Sequence, residues 1–225
     1  MNALLKKDMI TSKNPLIIMN LLVGCVMVVL TIIGAKAPVY FPIYIFATLF
    51  IPIILNKFTA TEETRKYYDM LINSFPVDRK DVVISKYTFY LLVYFITSIF
   101  LLSIIFVLGK ISGEDLKMLL FSQSFSFLYY VVIICVPNYI FYKASYDVAV
   151  KYSGFTLLGI IYLPMLVIFL AEKIFPSASK KVVGFFMKSI ENGFLIIPLI
   201  FLIGLVIYGI ITTLSIKGYC NKDLS

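Results

Sequence analysis

Histidine and tryptophan are absent from the 225-residue sequence, and cysteine occurs three times. Without histidine there is no imidazole base, no imidazole metal ligand and no H-E-x-x-H metalloprotease motif. Cys25, Cys135 and Cys220 are too widely spaced for a zinc site, and their odd number argues against a disulfide framework. They read as small apolar residues. No G-x-x-x-x-G-K-[ST] loop occurs, so the chain carries no ATP-binding P-loop of its own and any ATP is handled by a partner. Charge is scarce as well. Lys+Arg number 20 and Asp+Glu 12 in a chain that is 61% hydrophobic with mean hydropathy +0.98. Soluble domains hold roughly 45–50% apolar residues, so a soluble globule is excluded.

What is present is a set of six uncharged runs, 14–35, 37–56, 87–109, 118–142, 152–171 and 192–216, each 20 to 25 residues long. A hydrocarbon core about 30 Å thick needs about 20 helical residues, so each run is long enough to span it. The expectation is an all-α membrane protein with six transmembrane helices forming one domain over 1–225. The first run is longer than the roughly 7–15 residues of a signal-peptide core, which favours an uncleaved span. With the N-terminus inside, the inner segments 1–13, 57–86, 143–151 and 217–225 carry 13 Lys+Arg and the outer ones 7. The positive-inside bias therefore predicts cytoplasmic N- and C-termini in a plasma-membrane protein. Tyr40, Tyr87, Tyr142, Tyr152 and Tyr219 sit near run ends, where tyrosine would have to build the interfacial belt that tryptophan does not. The net charge of +8 fits anionic lipid headgroups, and nucleic acid is not expected as a partner.

Two stretches outside the runs are patterned. Residues 1–13 set Leu4, Leu5 and Ile10 against Lys6, Lys7 and Asp8, which reads either as a short amphipathic helix on the inner surface or as a charged tail. In 57–86, Thr59 and Glu62 form a capping-box pattern that predicts a helix from about Ala60, with Glu62 and Glu63 in its first turn. Tyr67, Tyr68, Met70, Leu71 and Phe75 give it one apolar face. Pro76 ends it, and Asp78 with Asp81 at the N3 position opens a second helix that leads into the third span past Arg79, Lys80 and Lys86. The apolar face either plugs into a groove of a cytoplasmic partner or lies on lipid.

The stretch Glu62–Tyr87, E-E-T-R-K-Y-Y-D-M-L-x-x-S-F-P-V-D-R-K-D-V-V-x-S-K-Y, resembles the cytoplasmic loop after the second span of ABC-2 type permeases, written S-L-P-V-x-R-x-x-[IV]-V-x-[SA]-K. Ser74-Phe75-Pro76-Val77 stands for S-L-P-V, with Phe75 the one departure, and Ser85-Lys86 closes the motif. Six spans, cytoplasmic termini, an amphipathic leading helix and a long last external loop match the small, type V exporter-like permeases of that family. The resemblance implies that the helix in this loop is a coupling helix seated in an ATP-binding subunit. Glu62, Glu63, Arg65, Tyr67, Tyr68 and Leu71 would make that contact, with Phe75 and Pro76 setting the bend back to the bilayer and Arg79, the motif's basic residue, counted with the docking set. It also implies two permease subunits, identical or different, with two ATPases that bind ATP and Mg. The chain itself would bind no cofactor or metal and catalyse nothing.

The external segment 172–191 has an apolar part that includes Val182, Phe185 and Phe186 beside lysines. It reads as a surface-lying helix, and the resemblance implies an external gate. Within the runs no side chain is an acid or a base, so no proton relay or buried ion site is visible. Ser122, Gln123, Ser124, Ser126 and Asn138 are the candidate lining of a route, and interhelical hydrogen bonding is their alternative role. A lining this apolar suits an amphipathic or hydrophobic cargo. The composition further resembles permeases of Gram-positive bacteria that export cytolytic peptides, such as staphylococcal phenol-soluble modulin exporters. Drug efflux, bacteriocin efflux or immunity, and a non-transporting membrane scaffold are the alternatives.

Overall fold

Many of the apolar stretches, such as Ser103-Ile104-Ile105-Phe106-Val107, are rich in β-branched residues that are indifferent helix formers in water. In hydrocarbon every N–H and C=O has to be paired within the segment, and the helix does that best. A computed structural model describes residues 2–33, 43–55, 78–112, 116–143, 173 and 196–221. Among them are five helices: α1 (Asn2–Ile32), α2 (Ile43–Leu55), α3 (Arg79–Ser112), α4 (Leu116–Lys143) and α5 (Ile196–Cys220). All but α2 are long and apolar enough to cross a membrane. The run 152–171, the loop residues 57–77 and the external segment 174–191 lie outside the described residues.

Residues 1–13 do not supply a separate leading helix. From Asn2 onward they are the first turns of α1, which continues through Pro15 without a break. Its buried positions Asp8, Ser12, Leu16 and Asn20 recur every four residues and face the bundle, whereas Ile10 is 65% exposed. Leu4 and Leu5, half-buried, also pack against the core, so Asp8 and Ser12 lie within an inward stripe of the bundle and Ile10 alone of those three apolar positions is exposed. The chain enters α3 where the sequence predicts. The Asp78 carbonyl accepts from the backbone N–H groups of Asp81 at 2.9 Å and Val82 at 3.2 Å, which makes Asp78 the N-cap residue.

Helices α1 and α3 start at the end of the bundle where α4 and α5 finish. Asp8 meets Lys86 there, Arg79 reaches Cys220, and Gly218 lies against Lys143. Residues near the two chain ends therefore share one end of the bundle, and Lys143 and Ile196 lie at opposite ends. The most extensive packing is α4 on α5, followed by α1 on α3, and α3 links the two pairs.

Glycine sets the closest of these contacts. A Cβ at Gly204 of α5 would come within 2.9 Å of Phe127, whose fully buried ring is stacked among Phe95 and Phe201 and has nowhere to go. Gly209, five residues on and on another face of the helix, has open space around it. Gly204→Val is expected to destabilise the protein by about 1–3 kcal/mol, the usual penalty of overpacking. Gly209→Ala should leave the thermal unfolding midpoint in detergent unchanged or slightly raised, by up to about 1 kcal/mol of helix propensity.

Candidate functional site

The first turns of α3 carry the motif residues Ser85, Lys86 and Tyr87 in sequence. Neighbours on a helix point about 100° apart, so three consecutive buried side chains require protein on most sides of the helix. Each has its own partner. Ser85 Oγ, fully buried, donates to the Val82 carbonyl at 2.8 Å. Lys86 Nζ meets Asp8 Oδ2 of α1 at 2.8 Å, with both side chains only 3% exposed. The Tyr87 hydroxyl lies 2.7 Å from Ser215 Oγ of α5 and donates to the Cys135 carbonyl of α4 at 3.3 Å. Two turns before Lys86, Arg79 Nη1 donates to the Cys220 carbonyl at 3.4 Å. The start of α3 is thereby tied to three other helices.

The Asp8–Lys86 pair adds a buried ion pair to what the uncharged runs alone suggest. It is drawn from just outside the uncharged runs and enclosed once α1 extends down beside α3. Two charges removed from water interact strongly, but the desolvation cost offsets most of that gain. Asp8 Oδ2 has no hydrogen-bond partner beyond this ammonium among the described residues. Such a pair fixes the register of α1 on α3 more than it adds to net stability.

Further along α3, tyrosines fill the space between the two helix pairs. Tyr130 donates to the Tyr90 carbonyl at 2.7 Å, Tyr90 to Asn138 Oδ1 at 3.4 Å, and Tyr94 to the Gln123 carbonyl at 3.3 Å. The Tyr94 and Tyr130 rings stack with centroids 4.5 Å apart. Thr48 of α2 and Ser126 of α4 share a 2.6 Å hydrogen bond. Tyr87, Tyr142 and Tyr219, expected in an interfacial belt, are instead buried in the bundle and packed ring to ring, at 6.2 Å for the first two and 5.3 Å for the last. At Tyr87 the reason is plain: its hydroxyl finds protein partners and does not need the headgroup layer.

Of the candidate lining residues, Ser126 is engaged with Thr48, Ser124 donates to the Leu120 carbonyl at 3.2 Å, and Asn138 joins Tyr90 to the Ile134 carbonyl. Ser122 is buried, and Gln123 is half-buried with Oε1 unpartnered among the described residues. Two open apolar grooves lie elsewhere. One of about 440 Å³ runs between α1 and α2 past Met19, Val23, Phe46 and Phe50, and one of about 690 Å³ between α1 and α3 past Val28, Phe100 and Ile104. None of the five candidate lining residues borders either. Arg79 is described above. Glu62, Glu63, Arg65, Tyr67, Tyr68, Leu71, Phe75 and Pro76, with Val182, Phe185 and Phe186, lie outside the described residues. Sequence reasoning missed the Asp8–Lys86 pair, although a signal existed. Asp8 is the sole acid before Glu62, and it and Lys86 precede two spans that run in the same direction.

Residues 3–220 match the family model described as ABC-2 family transporter protein. No curated protein and no solved structure matches the chain.

The ion pair generates a direct test. Lys86→Met, which strands the Asp8 carboxylate, is expected to cost about 3–5 kcal/mol in thermal or denaturant unfolding, and Asp8→Leu combined with Lys86→Met should recover most of it. Tyr87→Phe should cost about 1 kcal/mol, since it leaves Ser215 with its own bond to the Ile211 carbonyl.

Proposed function

The chain belongs to the ABC-2 family of transporter proteins, and from that premise we propose that it is the permease subunit of an ATP-driven exporter. It is a multi-pass membrane transport component and not itself the catalytic subunit. In the proposal a separate ATP-binding subunit, present in two copies beside two permeases, binds Mg and ATP and hydrolyses the nucleotide. It docks on the segment 57–77, for which the sequence predicts a helix, through Tyr67, Tyr68, Leu71 and Phe75.

The observation that carries this reading is the placement of α3. It begins directly behind that loop, and its first residues are tied to α1, α4 and α5. A push delivered at Asp78 therefore reaches α1 through the ion pair and meets α4 and α5 at Tyr87. The end of the bundle that holds Asp8, Arg79, Lys143 and Cys220 is the cytoplasmic end in this reading, in agreement with the bias of basic residues. Lys143 and Ile196 at opposite ends suit a fifth span over 152–171, and hence six in all. An amphipathic or hydrophobic cargo, with cytolytic peptides as the leading class, suits apolar grooves such as those on α1.

The test is purification of the chain from its native membrane in mild detergent, followed by an ATPase assay with and without an amphipathic helical peptide. Recovery of a P-loop subunit whose turnover responds to the peptide is expected. Absence of any ATPase would overturn the proposal in favour of a scaffold. Tyr67→Ala with Tyr68→Ala should weaken docking by about 2 kcal/mol or more, roughly 30-fold in affinity, while leaving the permease folded.

A further inference from the structure

Resting on the permease reading, we infer that α1 and α3 move as one body against α4 and α5, with Asp8–Lys86 as the fastener that carries α1 along. The two bodies are built differently from the seam between them. Within each, helices touch at glycine. A Cβ on Gly24 of α1 would come within 2.8 Å of Ile104 on α3, one on Gly204 of α5 within 2.9 Å of Phe127 on α4, and one on Gly218 within 3.3 Å of Lys143. Between the bodies, α3 reaches α4 and α5 largely through the length of aromatic side chains, among them Tyr87, Tyr94, Phe95, Tyr130 and Phe201.

The polar contacts divide in the same way. Across the seam, three hydroxyl bonds run at 3.3–3.4 Å: Tyr87 to Cys135, Tyr90 to Asn138 and Tyr94 to Gln123. Such bonds are ordinarily near 2.7–2.8 Å, so these are stretched. Among the described residues, the Thr97 hydroxyl on α3 and the Gln123 amide oxygen on α4 are buried without a hydrogen-bond partner, which leaves a donor and an acceptor to take up new bonds when the seam slides. Two shorter bonds, Tyr87 to Ser215 and Tyr130 to the Tyr90 carbonyl, lie within one turn of α3 beside the longer ones that Tyr87 and Tyr90 also make, and they keep that turn in contact with α4 and α5. The α1–α3 contact has no such freedom. Parting Lys86 from Asp8 strands the Asp8 carboxylate in a water-poor interior, so α1 follows α3 wherever the segment ahead of Asp78 drives it.

Asp8 and Lys86 are thus positioning residues for coupling, and two reversible bridges test their role. Both are made in the intact complex with its ATPase, in a Cys25→Ser/Cys220→Ser background that removes the two exposed thiols and leaves the buried Cys135. Asp8→Cys/Lys86→Cys removes both charges and should reduce peptide-stimulated ATPase about tenfold. Joining the two thiols with a short reducible dithiol reagent should restore the stimulation, because a covalent link does the work of the ion pair. In contrast, joining Phe95→Cys to Phe201→Cys, whose rings lie 6.4 Å apart across the seam, should arrest the cycle until the bridge is reduced.

Recovery on reduction in the same sample shows that arrest is not misfolding. Asp8→Lys/Lys86→Asp, with the charges exchanged, should retain coupling. The inference is overturned if the 8–86 bridge fails to rescue, if the 95–201 bridge leaves cycling intact, or if the exchanged pair loses stimulation while the ATPase stays bound. Failure of the unmodified chain to hold an ATPase is a different result, which removes the permease reading itself.

Discussion

A lysine ammonium enclosed at the start of a membrane helix has to be matched by an anion, and the arrangement of this bundle follows from how Lys86 meets that requirement. The partner is Asp8, 2.8 Å away on α1. The contact draws the first turns of the chain down beside α3, so that α1 runs as one helix from Asn2 to Ile32. The same requirement explains the polar positions Asp8 and Ser12 in the inward stripe of α1, between the half-buried Leu4 and Leu5 and the buried Leu16. A membrane interior makes a lone charge costly and a matched pair nearly neutral, so the pair acts as an address for α1.

Around that contact the interior divides into two kinds of packing. Where helices approach closely, glycine makes room: Gly24 between α1 and α3, Gly204 between α4 and α5. Where they stand apart, tyrosine fills the gap and its hydroxyl answers a carbonyl or a serine on the far side. Lipid supplies no hydrogen bonds, so each hydroxyl placed there needs a protein partner, and Tyr87 and Tyr130 have short ones. Ser85, Lys86 and Tyr87 thus do in three adjacent positions what a scattered set of contacts does elsewhere. They join the residues that follow a long loop to the three helices around them.

Much of this was legible in the sequence, and the rest was not for identifiable reasons. Uncharged runs longer than 20 residues are helical because hydrocarbon leaves the backbone no alternative, and α3, α4 and α5 overlie three of them. Asp78 reads as a cap because Asp81 follows at the N3 position, and α3 does begin there. The continuity of α1 was hidden because Pro15 and three lysines suggest a boundary, while the buried stripe that unites the two parts mixes Asp8 and Ser12 with apolar residues. Tyr87, Tyr142 and Tyr219 near the ends of runs suggest a lipid interface, and only the tertiary packing reveals them as interior. The serines of α4 were assigned two roles by sequence, and Ser126 and Ser124 hydrogen-bond within and between helices. The loop face around Tyr67 and Tyr68 and the external Phe185–Phe186 pair lie outside the described residues.

The central claim is that Lys86 and Asp8 form a closed pair within the membrane-embedded protein. Solid-state NMR of the full chain in lipid bilayers, with 15N-labelled lysine and 13C-labelled aspartate, measures the dipolar coupling between Lys86 Nζ and the Asp8 carboxyl. A strong coupling, corresponding to a separation within about 4 Å and lost in Asp8→Asn labelled in the same way, is the expected result. The absence of that coupling in the folded protein, with Lys86 behaving as a hydrated ammonium, would contradict the account.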